Sequence, residues 1–278
     1  MDFAETEEHR ALRDAVAEIA KKFGPRYYAE RATEHRPCAE LWTALGEAGF
    51  IGVNIPEAYG GGGGGLTDLV LVCEEIAAAG TPLLLLVVSA AVSAEMLTEF
   101  GSEEQRQTWL PGLASGTTKM VFAITEPDAG SNTHRLSTTA KRDGADWVLN
   151  GTKYYISGVD EAEALLVVAK TSQNALSLFI VPTDAAGLEK HVLPVDLLLP
   201  ERQFTLHFDD VRVGPGALVG EEGAGFRQVF HGLNPERITG AALAVGVARY
   251  ALTAAARYAN ERTVWSEPIG AHQGVSHP

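Results

Sequence analysis

The stretch AITEPDAGSN, residues 123 to 132, sets Thr125, Glu126, Asp128 and Ser131 directly behind the apolar run Met120-Val121-Phe122-Ala123-Ile124. A strand ending in so polar a turn is either an ordinary Pro-Asp-Gly turn or the rim of a binding site. A second concentration lies in LNPER, where Asn234 and Pro235 precede Glu236 and Arg237. A carboxylate can act as a general base when burial beside apolar groups raises its proton affinity toward the working pH. Other chemistries fail on spacing. There is no H-E-x-x-H or G-x-S-x-G, and the eight histidines are scattered. GEEGAGF at 220–226 lacks the G-x-G-x-x-G order and any βαβ context, which argues against a Rossmann site. The run Gly60 to Gly65 has no preceding strand and no Gly-Lys-Ser/Thr ending, so it reads as a flexible surface connection.

The elements that must position these groups are bounded by composition. A chain of 278 residues, 46% of them hydrophobic, can build a large core in one large domain or two to three smaller ones. Its formal charge of −14 argues against nucleic-acid or anionic-membrane partners, which require clustered Lys and Arg. Cys38 and Cys73 form no C-x-x-C pattern, so neither a disulfide framework nor a zinc site is expected, and a reducing compartment is. The start, MDFAETEEHR, lacks the basic-then-apolar order of a signal peptide, making the cytoplasm the default location. PLLLLVVSAAV at 82–92 falls short of the ~20 residues that cross a bilayer and is read as a buried helix.

Apolar residues recur at Leu12, Val16, Ile19 and Phe23, predicting an amphipathic helix within 3–23. Similar spacing recurs around Leu41-Trp42-Leu45, in 66–80 and across 83–100, and SEEQ at 102–105 fits a capping box opening another helix. From about 119 to 220 short runs follow: MVFAI, WVLN, KYYIS, ALLVVAK, LSLFIV and FTLHF, the pattern of a barrel or sandwich. Asn150-Gly151 between WVL and TKYYI predicts a hairpin turn. After Gly225 the helical pattern returns.

AITEPDAGSN, LNGTKYYISG at 149–158, LNPERI at 233–238 and ERTVWSEPIGAHQ at 261–273 occur in the order found in the acyl-CoA dehydrogenases. The resemblance, to a bacterial-type member, runs the whole chain and includes NIPEAYGG at 54–61. It implies an α+β multidomain fold. An all-α N-terminal domain spans 1–117, a middle β-barrel or sandwich domain 118–222, and the start of a C-terminal helical bundle 223–278, with FAD between the last two. In the family the T-E-P-x-A-G-S turn lies over flavin and thioester. Carried over, Phe122, Ile124 and Thr125 face the flavin and Ser131 contacts the CoA. An isoalloxazine needs a flat apolar wall and a few aimed donors, which is consistent with that set. Tyr155 and Ser157 match an aromatic and hydroxyl pair that stacks on the flavin and bonds near its N5 and O4. Strand alternation puts both on one face, and Tyr replaces the commoner Trp while keeping the π-face.

Arg262 and Gln273 match a segment that reaches across a subunit interface to the neighbour's FAD, where a guanidinium suits the pyrophosphate. Trp265-Ser266 stand where Phe-Gly is usual, and Trp265 is assigned to the adenine side despite that departure. An Arg at a helix C-terminus is also favoured by the dipole alone. Arg135 and Lys153 are further basic candidates for CoA phosphates, though a solvated surface face is the favoured reading for each.

LNPER has the L-x-x-E-R form in which a minority of the family, including the isovaleryl-CoA and long-chain enzymes, carries the α-proton base. The resemblance therefore makes Glu236 the candidate base, with Asn234 and Arg237 on the substrate side. Asn234 is expected to cap this helix or its first turn, with Pro235 at the first helical position and Glu236 in the first turn, where a salt-bridged cap is the alternative. Past GAHQGVSHP the family normally continues through further helices, so a truncation is expected, and a base supplied by that segment is the alternative to Glu236. The implied reaction is α,β-dehydrogenation of an acyl-CoA, with electron-transferring flavoprotein as acceptor and a homo-oligomer, dimer or tetramer, as the assembly. Two alternatives stand beside it: a non-catalytic or partner-dependent subunit, and a flavin monooxygenase on the same fold, which needs no α-proton base.

Overall fold

The computed structural model describes residues 4–173 and 175–277. Helices come first: α1 (Glu7–Ala20), α2 (Gly24–Thr33), α3 (Ala39–Glu47), α4 (Leu66–Ala78), a π-helical segment (Leu86–Ala94) running into α5 (Glu95–Phe100), and α6 (Glu103–Ser115). In α1, Val16 is buried while Leu12 and Ile19 pack against the same core, the stripe predicted from spacing; Phe3 lies outside the described residues. The capping box is present. The Gln105 amide donates to Ser102 Oγ at 3.2 Å, and Ser102 N donates to Gln105 Oε1 at 2.9 Å. Gln105 Nε2 also donates to the carbonyls of Gly216 and Leu218, tying α6 to the β region.

The Gly60–Gly65 run is pinned rather than flexible. The amides of Gly62, Gly63 and Gly64 donate to the carbonyls of Gly52, Ile55 and Val53 at 2.9 Å each. A Cβ on Gly61 would sit 2.1 Å from the Ile55 carbonyl, so the close backbone approach requires glycine.

The strands are β1 (Met120–Ala123), β2 (Thr139–Asp143), β3 (Asp146–Ser157), β4 (Ala164–Ser172), β5 (Ala175–Pro182), β6 (Leu188–Leu193), β7 (Gln203–Val213) and β8 (Leu218–Val219). They form one mixed sheet in the order β6-β7-β3-β2-β4-β5-β8, with β1 parallel beside β4. The central strands are buried on both faces, which explains their unbroken apolar runs. Leu165, Val167 and Ala169 join a core with Leu41, Val72 and Leu86, whereas Ala164, Leu166 and Val168 join a second with Met96, Leu97 and Leu110.

Asn150-Gly151 does not turn the chain: β3 runs straight through it. The Asn150 side chain is held across the sheet, donating to Asp210 Oδ1 and accepting from Asp210 N at 2.9 Å each. Gly151 has φ 147°, and a Cβ there would lie 2.6 Å from Thr138 Cα. The glycine thus serves a close approach beside a bulge, where register shifts between Leu149 and Gly151. The hairpin turn is at Gly144, φ 64°, between β2 and β3.

The last major element is α7 (Gly225–Glu261), a single 37-residue helix. It begins well before LNPER, so Asn234 is not an N-cap, Pro235 is interior, and Glu236 is not in a first turn. The helix is long and apolar enough by composition to cross a bilayer, yet it is docked on α4. Arg249 donates to Glu74 and Glu75 at 2.6 Å each, and Arg13 of α1 donates to the same two carboxylates. Gly246 makes the contact close: a Cβ there would lie 2.3 Å from the Glu74 carbonyl and 2.5 Å from Ala77 Cβ. Helix propensity favours Ala over Gly by roughly 0.5–1 kcal/mol, but overpacking against backbone costs typically ~1–3 kcal/mol. Gly246→Ala should therefore lower the urea midpoint; a raised midpoint would show that the helices separate freely.

Candidate active site

The turn after β1 is organised by Glu126. Its Oε2 accepts from the Ser137 amide at 2.6 Å and from Ser137 Oγ at 2.7 Å, and its Oε1 accepts from the Thr138 amide at 3.0 Å and from Lys153 Nζ at 2.9 Å. Lys153 Nζ also donates to the Ile124 carbonyl at 2.9 Å, and the Tyr154 amide donates to the Thr125 carbonyl at 2.8 Å. The polar turn is thereby clamped to β3 on both sides of Thr125. Burial alone would push the Glu126 carboxyl up, but the Lys153 charge and the hydrogen bonds from Thr138, Lys153 and Ser137 outweigh it and bring it to about 2. The fully buried Lys153 is pulled down to about 8 by burial, against the attraction of Glu126. Lys153 is therefore neither solvated surface nor exposed to a phosphate, whereas Arg135 is exposed.

Within this frame Phe122 is buried, and Ile124 and Thr125 are half-buried. On β3 a second register shift falls between Lys153 and Ile156, and Tyr155 adopts φ 57°. This bulge leaves Lys153 and Ile156 buried, three residues apart, with Tyr155 and Ser157 flanking Ile156. The bulge, not simple alternation, aims these two side chains. Tyr155 is 54% exposed, its ring edge-on to Tyr154 at 4.4 Å. Ser157 Oγ donates to Gln203 Oε1 at 2.9 Å.

The LNPER segment lies within α7. Leu233, like Ile124, packs against the core cluster that includes Phe122, and Glu236 lies one turn further on. Burial raises the Glu236 carboxyl above its ordinary value, with Arg237 opposing. Asn234 Oδ1 accepts from Arg237 Nη1 at 3.1 Å, and Thr239 Oγ1 donates to the Pro235 carbonyl at 2.8 Å. Ser131 is exposed on the loop whose His134 stacks on Phe226 of α7, centroids 5.0 Å apart. Thr133, His134, Lys170, Gln173, Leu176 and Phe226 line an open cavity of about 410 Å³ beside that loop.

Arg262, Trp265 and Gln273 stand apart. Arg262 caps the C-terminus of α7, roughly 39 Å from Glu236 at ~1.5 Å per residue. Trp265 is 90% exposed in the hairpin of β9 (Thr263–Val264) and β10 (Glu267–Pro268), and Gln273 opens the short helix α8 (Gln273–Ser276). One chain does not bring these three to Tyr155 and Glu236.

Sequence reading missed Lys153 and Gln203 as organising residues. The signal for Lys153 was available: inward positions Trp147, Leu149 and Gly151 put 153 inward, where an ammonium needs an acid, and Glu126 is the acid of the adjoining turn. Gln203 carried no such signal, because its position opposite Ser157 depends on the bulge.

The chain thus combines a helical domain, a mixed sheet carrying a clamped polar turn and an exposed aromatic, and one long helix. Models of the N-terminal, middle and C-terminal domains of acyl-CoA dehydrogenase match residues 6–117, 121–211 and 223–278, and the chain belongs to that family. Acyl-CoA dehydrogenase FadE12 of Mycobacterium tuberculosis (strain ATCC 25618 / H37Rv) is 53% identical over 281 residues, covering 99% of this chain and 72% of that protein. Butyryl-CoA dehydrogenase of Megasphaera elsdenii superposes with TM-score 0.92 at 27% identity, over 100% of this chain and 75% of its own. Glutaryl-CoA dehydrogenase of Mycobacterium smegmatis, solved with FADH2, does so with TM-score 0.91 at 29% identity, over 98% and 70%.

The clamp makes its own prediction. Lys153→Met leaves a buried, unpaired carboxylate and should destabilise by ~3–5 kcal/mol, whereas Glu126→Gln with Lys153→Met should recover much of that loss in denaturant melts. Because the folded Glu126 titrates near 2 instead of 4.5, its contribution is present above about pH 4.5 and lost as pH falls through about 2. Acid unfolding of the double variant should lack that component; an unchanged acid profile would contradict the clamp.

Proposed function

We propose that this chain catalyses FAD-dependent α,β-dehydrogenation of an acyl-CoA thioester, with Glu236 removing the α-proton. The observation that carries the reading is the half-buried, proton-avid Glu236 one turn from Leu233, which packs, as Ile124 does, against the core cluster that includes Phe122. The residues present suit the cofactor. An exposed aromatic face on a rigid bulge, with the hydroxyls of Thr125 and Ser157 nearby, supplies the flat wall and polar edge that an isoalloxazine requires. Bound FAD supplies the acceptor for the β-hydride. The domains are taken as 1–117, 118–222 and 223–278.

Desolvation disfavours the charged form of Glu236, so its carboxylate gains driving force for accepting a proton from carbon. Arg237, braced by Asn234 and placed 5.9 Å over the Phe230 ring, and Ser131 on the opposing loop, hold the CoA side of the substrate. Arg262, Trp265 and Gln273, which follow the far end of α7, serve the FAD of a second copy, so the assembly is a homodimer or homotetramer. Electron-transferring flavoprotein takes the electrons, and the cytoplasm is the place of action.

Glu236→Gln should retain bound FAD while substrate-dependent bleaching of its absorbance falls by ~10²–10⁴-fold. Bleaching at near wild-type rate would assign the base elsewhere, and would favour Glu236 as a purely structural member of α7.

A further inference from the structure

Glu201 stands two residues before β7 and takes no part in the proposed chemistry, yet it is a carboxyl group buried between the β region and the helical domain. Its Oε1 accepts from the Leu84 amide at 2.9 Å and from the Leu85 amide at 3.4 Å, which ties the β6–β7 connection to the head of the π-helical segment. Its Oε2 is buried with no hydrogen-bond partner among the described residues. The space Glu201 shares with Cys38, Trp42, Leu83, Leu85 and Glu161 is about 10 Å³, roughly one water's worth, so a charge cannot be hydrated in place. Glu201 also borders a cavity of about 220 Å³ lined mainly by apolar residues of the 192–199 stretch.

The groups that face it supply no free cation. From α2 comes Tyr28, whose hydroxyl is likewise buried and unpartnered among the described residues, and just before α3 lies Cys38. Burial pushes the Tyr28 phenol up and the Cys38 thiol up to about 12, so both are neutral. From the β3–β4 connection comes Glu161, a like charge whose own partner is Lys119 at 2.7 Å. Arg202, next in sequence, is bonded to Asp160, and His35 is exposed on the wall of the larger cavity. Burial, with Glu161 adding to it, outweighs the Leu84 and Leu85 amides and pushes the Glu201 carboxyl up to about 7. The chain on either side is suited to local opening. Residues 194–202 belong to no helix or strand, and Leu197 and Leu198 are exposed.

We propose that Glu201 is a proton-dependent latch: as the neutral acid it closes the β6–β7 connection against the helical domain, and its ionisation lets that segment open to water. An opened Glu201 is hydrated and returns toward its ordinary 4.5. The closed form therefore binds its proton more tightly than the open one. Closure is fullest below about pH 4.5 and is lost as pH rises through about 7, with opening growing by up to about tenfold per pH unit between the two and level above. The segment ends at Arg202, whose carbonyl accepts from the Gly158 amide at 2.9 Å, and at Gln203, which pairs with Ser157. Opening thus reaches the end of β3. The inference needs no FAD, so it stands or falls apart from the proposed function.

The test is native-state hydrogen exchange of the full chain between about pH 5 and about pH 8, at several low urea concentrations, with each amide corrected for the intrinsic pH dependence of exchange. The amides of Leu84, Leu85 and Gly158 should exchange through an opening nearly independent of urea, unlike that of Val167 in the core. That opening should grow on the order of a hundredfold across the range and level off above about pH 7. Glu201→Gln keeps the side-chain shape and the Oε1 contacts while removing the ionisation, so exchange at these amides should stay at the low-pH level throughout. A wild type flat in pH, a pH rise that survives Glu201→Gln, or exchange that follows urea as Val167 does, would overturn the latch. Should Glu201→Gln not fold, Glu161→Gln decides: with the like charge gone, opening should level off at lower pH, and an unmoved profile overturns the inference.

Discussion

The buried pair of Glu126 and Lys153 is the interaction on which the candidate site depends. A carboxylate with donors from Ser137, Thr138 and Lys153 fixes the turn after β1 from below, while Lys153 reaches the Ile124 carbonyl and carries β3 with it. Such a pair contributes little net stability over an apolar substitute, because desolvation cancels most of the attraction. What it supplies is uniqueness: neither charge tolerates another arrangement once buried, so Thr125 and Tyr155 are held in a fixed relation. The same logic answers why a strand should end in so polar a turn. Glu126 faces inward as structure, while Pro127, Asp128, Gly130, Ser131 and Asn132 of that segment remain exposed.

Strand β3 carries the second constraint. Its two irregularities, near Gly151 and at Tyr155, let one continuous strand touch Thr138 closely, keep Lys153 and Ile156 inside, and still present a tyrosine ring outward. Energy spent on the positive φ of Tyr155 is the kind of local strain that concentrates at functional positions. The third constraint is α7, which passes LNPER by Leu233 and then runs on along α4, where the Arg13, Glu74, Glu75 and Arg249 cluster and Gly246 fix it. Its length sets Arg262 roughly 39 Å from Glu236 at ~1.5 Å per residue.

Much of this was legible in the sequence. Helix periodicity placed α1, α3 and α4, the SEEQ box fixed the start of α6, and apolar runs located β1, β4, β5 and β7. The motif order carried the family, which domain models and relatives then established. What failed did so for identifiable reasons. Asn150-Gly151 has the composition of a hairpin turn, but its glycine answers a close contact with Thr138, a tertiary demand no local pattern reveals. Pro235 looked like a helix start because proline is favoured there; the helix instead tolerates it ten residues in, where Thr239 Oγ1 bonds the Pro235 carbonyl. Lys153 looked like surface because lysines usually are, and only its partner, 27 residues upstream, accounts for its burial.

The central claim is that this site removes a proton from the α-carbon of an acyl-CoA through Glu236. Anaerobic stopped-flow bleaching of the FAD-loaded protein, with straight-chain acyl-CoA either protiated or deuterated at the α-carbon, tests it most directly. The account predicts slower bleaching with α-deuterium, and a rate that falls as pH drops through the raised titration of Glu236. Bleaching that is indifferent to α-deuteration, or none at all with FAD in place, would contradict it.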